Sequence, residues 1–458
     1  MAEQEKTSAA GAAGYKEKER IANPTQQIAD STAQLVKYGG FDLIETSVEA
    51  AGNLNPTKKA RKNIFLTENV NKQERKKLKK RLELWASLLE GHENAADMIA
   101  EAEQKANVAT TTLNKNLKKA IDDTAELEKA YRAMALFYKN AESEKIKNIS
   151  FMNAEMDQVA DLDNTVFVDH VANELRQNYD RLDLRNNYSL MVVPGYMGGG
   201  KVIDKWAKLA YENKVMMLTD YRHLDTPDDV MEMFADEDLT SADAYKSNVM
   251  MTCNYLVGRE AYTELGEEEP LYVAPSAAMA GQVYKTLMSQ VAAGKKHGSL
   301  SEVDGVRFDL KKSEIAGLEK MGLIPMVNEF GKVMAYSAKT LFNGDNLGLQ
   351  TYSVVRVFDW VMKVLIDFLN RRAFENWDYN SEQDLRKQIV TFLNNITGPG
   401  KIIENFKIQR FERDANQKDR VFLDIHITPY FPAKNFLIRL DGTRGDDGAN
   451  WEGGVQQQ

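Results

Sequence analysis

Apolar residues follow two different periods along this chain. Between Lys72 and Tyr138 there are few helix breakers, and apolar residues recur mostly three or four positions apart: Leu113, Leu117, Ile121, Leu127, Tyr131 and Met134. This spacing predicts helices with one apolar face. After Gly398-Pro399 the period becomes two, with apolar residues at Val421, Leu423, Ile425 and Ile427 and again at Phe436, Ile438 and Leu440. That alternation predicts strands at the carboxyl end.

The middle of the chain alternates predicted strands and helices. Strands are predicted over 188–193 and 215–218, with a helix starting near Val202 between them. Pro275-Ser276 opens a helix of small residues, and a long helix carries its apolar face at Val354, Phe358, Val361, Leu365 and Phe368. Ser381 with Asp384 resembles a capping box that opens one more helix before Gly398. The order predicts an α/β (α+β) fold.

Composition is that of a soluble globular protein. The 458 residues are 43% hydrophobic and 28% charged, with a net charge of −9, which argues against a general nucleic-acid binder. No apolar run is long enough to span a membrane, and the first residues lack a hydrophobic signal core, so we expect a cytoplasmic protein without direct membrane insertion. The single cysteine, Cys253, lies in an apolar run and is expected to pack in the core.

A dense basic run and a glycine-rich turn are the conspicuous local motifs. The run comprises Arg75, Lys76, Lys77, Lys79, Lys80 and Arg81. Because Glu74 and Glu83 interrupt it and no aromatic platform accompanies it, we expect a solvated helix face or a contact with an acidic partner rather than nucleic acid or an anionic membrane.

The turn Gly195–Lys201 follows a predicted strand and precedes a predicted helix, as phosphate-binding loops do. Val202 stands where such a loop needs a Ser or Thr to hold magnesium, and Pro194 removes one N–H group. Asp220, at the end of the next strand, is where an acidic partner of the loop would lie. Two alternatives therefore remain: a nucleotide-dependent enzyme, or a turn that only allows close α/β packing.

Other groups give weaker signals of chemistry. Asp220, His223 and Asp225 have types that bind metals but occupy a single loop. Asp424 and His426 share one strand face and are expected to be a solvated or interface pair. No GxSxG, HExxH or CxxC motif and no metal-spaced histidine pair occurs in the sequence. We expect no catalytic residue, no cofactor and no metal site.

Five ordered segments carry a family resemblance: YVAPSAAMAGQVYK at 272–285, AYSAKTLF at 335–342, YSVVRVFDWV at 352–361, TFLNNITGPGKI at 391–402 and ITPYFPAKNFLIRL at 427–440. They resemble contractile tail-sheath proteins. Upstream, LEKAYRAMALFYKNA at 127–141 looks like a helix of the large sheath subunit of type VI secretion systems (TssC/VipB-like). The resemblance covers roughly residues 110 to 440, and a phage-derived tail sheath remains an alternative.

The resemblance implies a structural sheath subunit that contracts to drive an inner tube and effectors out of the cell. The implied partners are copies of itself, a small sheath subunit (TssB/VipA-like), an inner tube protein (Hcp-like) and a membrane-anchored baseplate. Strands completed by neighbouring chains would carry the interchain contacts at Phe406, Ile408, Val421, Leu423, Ile425, Ile427, Phe436 and Ile438. The segment 25–40, with Ile28, Leu35 and Val36, is a candidate helix for an AAA+ unfoldase (ClpV-like), or an arm that packs on a neighbour.

Five regions are expected on these grounds. They are a flexible amino-terminal arm (1–60), a helical subdomain (61–175), an α/β sheath core (176–400), interchain β-strands (401–441) and a flexible tail (442–458).

Overall fold

A computed structural model describes residues 64–142, 144, 146, 148–185, 187–434, 437–443 and 450–456. The predictions on Ile28, Leu35, Val36 and Phe436 lie outside these residues. The chain forms two compact units, Met1–Lys119 and Ala120–Gln458. Within the described ranges no helix is both long and apolar enough to cross a membrane.

Two helices account for the predicted helical region, α1 (Lys72–Glu90) and α2 (Ala95–Asn140). The helices were predicted correctly, but the buried face of α2 was not. Leu127 and Tyr131 are 71% and 69% exposed, whereas Ala133 and Leu136 are buried. The inner face of α2 also includes Asn140, which exchanges hydrogen bonds with the backbone of Ser301, and the spacing of apolar residues alone does not reveal such a position.

The second unit is built on a five-stranded sheet. The strands between residues 190 and 335 are β1 (Leu190–Val193), β2 (Met216–Asp220), β3 (Val249–Cys253), β4 (Leu256–Arg259), β5 (Leu271–Val273), β6 (Leu323–Glu329) and β7 (Lys332–Ala335). The sheet has the order β1-β2-β3-β6-β7, in which only β7 runs antiparallel to its neighbour. β4 and β5 form a separate antiparallel pair. The apolar run through Cys253 is therefore two strands, interrupted at Asn254 by a positive φ of 70°.

Helices connect the strands and cover the sheet. They are α3 (Met156–Ala160), α4 (Val166–Tyr179), α5 (Gly200–Glu212), α6 (Pro227–Asp236), α7 (Ser276–Lys285), α8 (Gly294–His297) and α9 (Lys312–Lys320). Side chains of β2 alternate between two cores. Met217 packs with Trp206 of α5, and Leu218 packs with Ala278 of α7. Burial on both faces explains why the central strands are apolar runs rather than alternating ones.

The carboxyl region consists of two helices and two hairpins: α10 (Tyr352–Arg371), α11 (Tyr379–Ile396), β8 (Ile403–Arg413), β9 (Val421–Pro429), β10 (Leu437–Thr443) and β11 (Asn450–Gln456). α11 begins earlier than predicted, because Asp378 caps it by accepting a hydrogen bond from Ser381 N. Asp384, expected in a capping box, instead pairs with Arg372. On α10, Phe358 was expected on the buried face but is 44% exposed.

A strand lies within the segment 442–458, for which a flexible tail was expected. Residues 450–456 form β11, which pairs with β10 from Leu437↔Gln456 to Thr443↔Asn450. Pairing with the next stretch of chain satisfies one backbone edge of β10, which composition alone does not indicate.

Candidate functional site

The glycine turn was the strongest candidate for a ligand site in the sequence. In the structure, the turn makes a hydrogen bond to a side chain of the same protein. Gly195 and Gly198 have φ values of +101° and +117°, which favour glycine. The N–H of Gly195 donates to Asp220 Oδ2 at 2.8 Å. The amide that would donate to a phosphate in a nucleotide-binding loop therefore donates to a carboxyl group of the protein itself.

Asp220 lies at the end of β2, is fully buried and gathers donors from three other segments. Ser276 N donates to Oδ1 at 2.8 Å, Ser276 Oγ donates to Oδ2 at 2.6 Å, and Thr252 Oγ1 donates to Oδ1. Burial raises the pKa of Asp220 above its ordinary value, and the hydrogen bonds from Gly195, Ser276 and Thr252 oppose that rise. The carboxyl group joins the turn, β3 and the start of α7.

The start of α5 shows close packing rather than an open cradle. A Cβ atom on Gly200 would lie 2.3 Å from the carbonyl oxygen of Asp238, whereas one on Gly199 would meet nothing within 4 Å. Val202 is buried in the core behind the turn. These contacts favour the packing interpretation of the turn over the nucleotide-binding one.

Asp220, His223 and Asp225, whose residue types can bind metals, each make other contacts. Asp220 is engaged as described, and Asp225 accepts a hydrogen bond from Arg307 Nη2 at 2.8 Å. His223 stacks on Tyr255 with ring centroids 4.7 Å apart, and burial together with Arg307 lowers the pKa of His223. In the described part of the chain, no group of three or more His, Cys, Asp or Glu side chains is arranged to hold a metal ion.

Cys253 packs in the core, as predicted. It is buried beside β2 and β6, and burial raises the pKa of its thiol, so the reactive thiolate is disfavoured.

The second candidate site is the hairpin of β8 and β9. The two strands pair antiparallel from Ile403↔Pro429 to Arg413↔Val421, with irregularities near Asn405 and Arg410. Five of the residues predicted for interchain strands lie on this hairpin with their side chains partly buried: Phe406, Ile408, Leu423, Ile425 and Ile427.

These apolar side chains contact helices of the same chain. Phe411, buried in β8, packs in one cluster with Leu385, Ile389 and Leu393 of α11, and its ring lies 5.6 Å from that of Trp377. Ile427 belongs to a neighbouring cluster with Val357 and Val361 of α10. Only Val421, at the far end, stays 38% exposed. The surface left for another chain is therefore the backbone edge and the outer face, not the apolar side chains.

The outer face of the hairpin is polar. Asp424 and His426 are exposed there, opposite Arg410 and Lys407 respectively. The guanidinium of Arg410 lies 3.9 Å above the ring of Phe422. Both side chains are exposed, as expected for either a solvated pair or an interface pair at Asp424 and His426.

Each strand of the hairpin has a second edge. Within the described residues no further strand of a sheet pairs with β8 or β9, apart from an isolated bridge between Thr397 and Ile403. The unpaired backbone N–H and C=O groups on such edges can pair with another strand, and folded proteins usually pair or cover these edges. The hairpin of β10 and β11 likewise forms a sheet of two strands, with the predicted residue Ile438 52% exposed on β10.

The sequence did not reveal the groups that converge on Asp220. Gly195, Thr252 and Ser276 lie 25, 32 and 56 residues away from it along the chain. The only local signal was the placement of Asp220 at the carboxyl end of a buried parallel strand, where side chains from several loops meet.

Comparison with known structures returned sheath and baseplate chains. The chain is 15% identical to a chain of the anti-feeding prophage baseplate, with 66% of this chain and 77% of that chain covered and a TM-score of 0.47. It is 16% identical to the anti-feeding prophage helical sheath in the contracted state (66% and 79% covered, TM-score 0.45). It is 11% identical to a sheath tail protein from Desulfitobacterium hafniense (64% and 60% covered, TM-score 0.41). A comparison with curated protein sequences gave no match.

Three sequence models of one family match successive parts of the chain. The TssC/VipB-like N-terminal region matches residues 28–117, the type VI secretion system TssC/VipB central domain matches 119–343, and the TssC/VipB-like C-terminal domain matches 351–457. Because these models together match most of its length, the chain belongs to the TssC/VipB family of type VI secretion systems.

Proposed function

We propose that this chain is the large subunit of a type VI contractile sheath and that the edges of β8 and β9 are where neighbouring chains attach. The observation that carries the attachment site is the two-stranded hairpin, whose apolar face is already used by α10 and α11 while its outer edges lack a described partner strand. A strand from another chain can extend such a sheet by backbone hydrogen bonds.

Strand addition gives a joint of useful strength. Four or five interchain backbone hydrogen bonds at about 1 kcal/mol net each would contribute a few kcal/mol, before any side chain is buried. Because the joint links different surfaces of successive subunits and does not close on itself, repetition produces a helical tube. Contraction is then a change between two packings of the subunits while the woven joints persist.

The proposed partners are copies of this chain, a small sheath subunit, an inner tube protein and a baseplate, all in the cytoplasm. The segment 25–40 is the proposed recognition element for a recycling unfoldase. The role is structural rather than catalytic, which agrees with the engagement of the Gly195 amide by Asp220.

Paired proline substitutions on the hairpin test the attachment site. In an antiparallel strand, consecutive N–H groups point alternately toward the partner strand and away from it. We therefore compare Asp424→Pro with Ile425→Pro in β9, and Lys407→Pro with Ile408→Pro in β8. In each pair, the proline that replaces an outward N–H should leave the urea-unfolding midpoint of the subunit nearly unchanged.

Assembly is measured by electron microscopy after co-expression with the small sheath subunit. Wild-type chain and the Asp424→Ala control should give hollow tubes. At least one outward-facing proline should abolish them while the subunit stays folded. Tubes from every folded proline variant would refute attachment at these edges, and the absence of tubes from the wild-type chain would refute the sheath function itself.

A further inference from the structure

A row of three lysines on α1 has no assigned role. Residues 72–81 contain seven basic residues and one acidic residue. Several are engaged locally: Arg75 donates to the carbonyl groups of Phe65 and Glu68, Lys77 pairs with Glu74, and Lys79 pairs with Glu83. Lys72, Lys76 and Lys80 are exposed, and no ion pair to another described residue holds them. Spaced at i, i+4 and i+8, they form one line along the helix.

A row of three carboxylates with the same spacing lies on α6. Residues 224–243 contain eight acidic residues and no basic one. Asp225, Asp229 and Glu237 are engaged by Arg307, Thr226 and Arg222 respectively. Asp228, Glu232 and Asp236 remain exposed, without an ion pair to any other described residue.

The row on α6 faces away from the core. Val230 and Phe234, on the opposite side of the same helix, are buried against it. The three acidic side chains therefore project to the surface as a line rather than as a scattered set.

The two rows match in length, spacing and charge. At about 1.5 Å rise per residue, each row extends over roughly 12 Å of helix. We propose that the row Lys72, Lys76 and Lys80 of one copy of this chain docks along the row Asp228, Glu232 and Asp236 of a second copy. Every copy carries both rows, so each can offer α1 to one neighbour and receive α1 of another on α6. This contact adds to the proposed sheath function, on which its biological setting rests, and it uses side-chain charge instead of the strand edges.

The charges predict how the contact responds to salt and to reversal of the charge on one row. Exposed pairs are individually weak, but three aligned pairs act together and are screened strongly as ionic strength rises. Turning one row to the opposite sign converts three attractions into three repulsions. We expect the affinity between copies to fall at least roughly tenfold, equivalent to about 1.4 kcal/mol.

Two charge-reversed variants, their mixture, and a chain that carries both sets of substitutions form the test. The first carries Lys72→Glu, Lys76→Glu and Lys80→Glu; the second carries Asp228→Lys, Glu232→Lys and Asp236→Lys. Binding between two differently tagged full-length copies is measured at low and high salt, without the small sheath subunit. Each variant should bind itself poorly, while the two variants mixed should bind each other with an affinity near that of the wild type. A control with Lys115→Glu, Lys119→Glu and Lys312→Glu changes net charge as much as the first variant and should bind as the wild type does.

Each result decides the proposal. Rescue in the mixture supports docking between copies. Rescue only when both sets of substitutions are in one chain means that the rows meet within a single copy and overturns it. Loss of binding in the first variant alone, without rescue, means that α1 docks on a surface of the second copy other than α6 and refutes the proposed contact. Unchanged binding in both variants, or no binding between wild-type copies at low salt, also refutes it. Tube formation by the wild type is scored separately, so failure here is distinct from failure of the sheath function.

Discussion

Ser276 donates two hydrogen bonds to Asp220, one from its backbone N to Oδ1 at 2.8 Å and one from its Oγ to Oδ2 at 2.6 Å. This relationship fixes the first residue of α7 to the end of β2. With the bond from Gly195 N, the same carboxyl group also sets the conformation of the glycine turn. A motif that looks like a nucleotide-binding loop in sequence is thus part of the internal framework.

Replacement of Asp220 by alanine should destabilise the second unit strongly. The change leaves the donors of Gly195, Thr252 and Ser276 without their acceptor, and each buried unpaired group costs about 1–3 kcal/mol. We expect the free energy of unfolding in urea to fall by roughly 3–5 kcal/mol. Asp225→Ala, at an exposed carboxylate, serves as the control and should cost less than about 1 kcal/mol. Equal effects of the two substitutions would contradict the framework role of Asp220.

Alanine substitutions at the neighbouring residues Gly199 and Gly200 test whether close packing is what requires glycine in this turn. Gly200→Ala would place a Cβ atom 2.3 Å from Asp238 O, so the backbone must shift. We expect a loss of about 2 kcal/mol or more in the free energy of unfolding. The Cβ atom of Gly199→Ala would meet no atom within 4 Å, so this variant should lose well under about 2 kcal/mol in the free energy of unfolding. Thermal unfolding of both variants gives the comparison, and an equal loss in both would show that close approach to Asp238 is not what requires glycine.

Phe411 should be the main apolar anchor of the β8–β9 hairpin. It is 5% exposed and packs on Trp377 and α11. Phe411→Ala should lower the free energy of unfolding by about 3–5 kcal/mol and speed amide hydrogen exchange in both strands. Phe422→Ala removes the same ring from the outer face, beneath Arg410, and should change exchange little. Comparable exchange in the two variants would contradict the inner packing described for Phe411.

Lys363 should make stability depend on pH at alkaline values. Burial lowers the pKa of Lys363 from 10.5 to about 8, partly offset by Asp359, while its Nζ donates to Tyr188 O at 2.8 Å. Between those two pH values the unfolded chain binds the proton and the folded chain does not, so this residue makes the folded state more stable as pH rises. Below pH 8 the contribution is constant and unfavourable.

The substitution Lys363→Met removes this dependence. We expect its free energy of unfolding, relative to wild type, to be higher at pH 7 than at pH 9.5 by roughly 1–2 kcal/mol. Urea unfolding of both proteins at the two pH values measures the difference, with Lys387→Met as a control at an exposed lysine. A relative stability that does not change with pH would contradict the shifted pKa.

Local patterns in the sequence predicted the helices and strands better than they predicted which helix face is buried and which residues are in contact. The apolar runs that became β2 and β3, and the small residues of α7, were visible because burial and close packing select them residue by residue. The buried face of α2 was not, since Ala133 and Leu136 pack inward while Leu127 and Tyr131 remain exposed. The start of α11 was misplaced because Asp378 and Ser381 are both good caps, and only the tertiary position of the chain decides between them.

The candidate site was predictable only in part. Strand β9 follows from the alternation of apolar residues, whereas β8 was expected from the family resemblance. Their lack of a further described partner strand is a property of topology. Interchain attachment, the role of the segment 25–40 and the division into five regions stay predictions. The convergence on Asp220 could not be foreseen, since it joins residues up to 56 positions apart.

The antiparallel pairing of β8 and β9, which pack on α10 and α11, has a mechanical consequence. Hydrogen bonds between antiparallel strands lie perpendicular to the strands. A pull directed along β9 therefore loads all the bonds of the ladder in shear at once, instead of opening them one after another as unzipping would. A joint made by adding a strand to this hairpin would be toughest along the strand axis and weakest when peeled sideways.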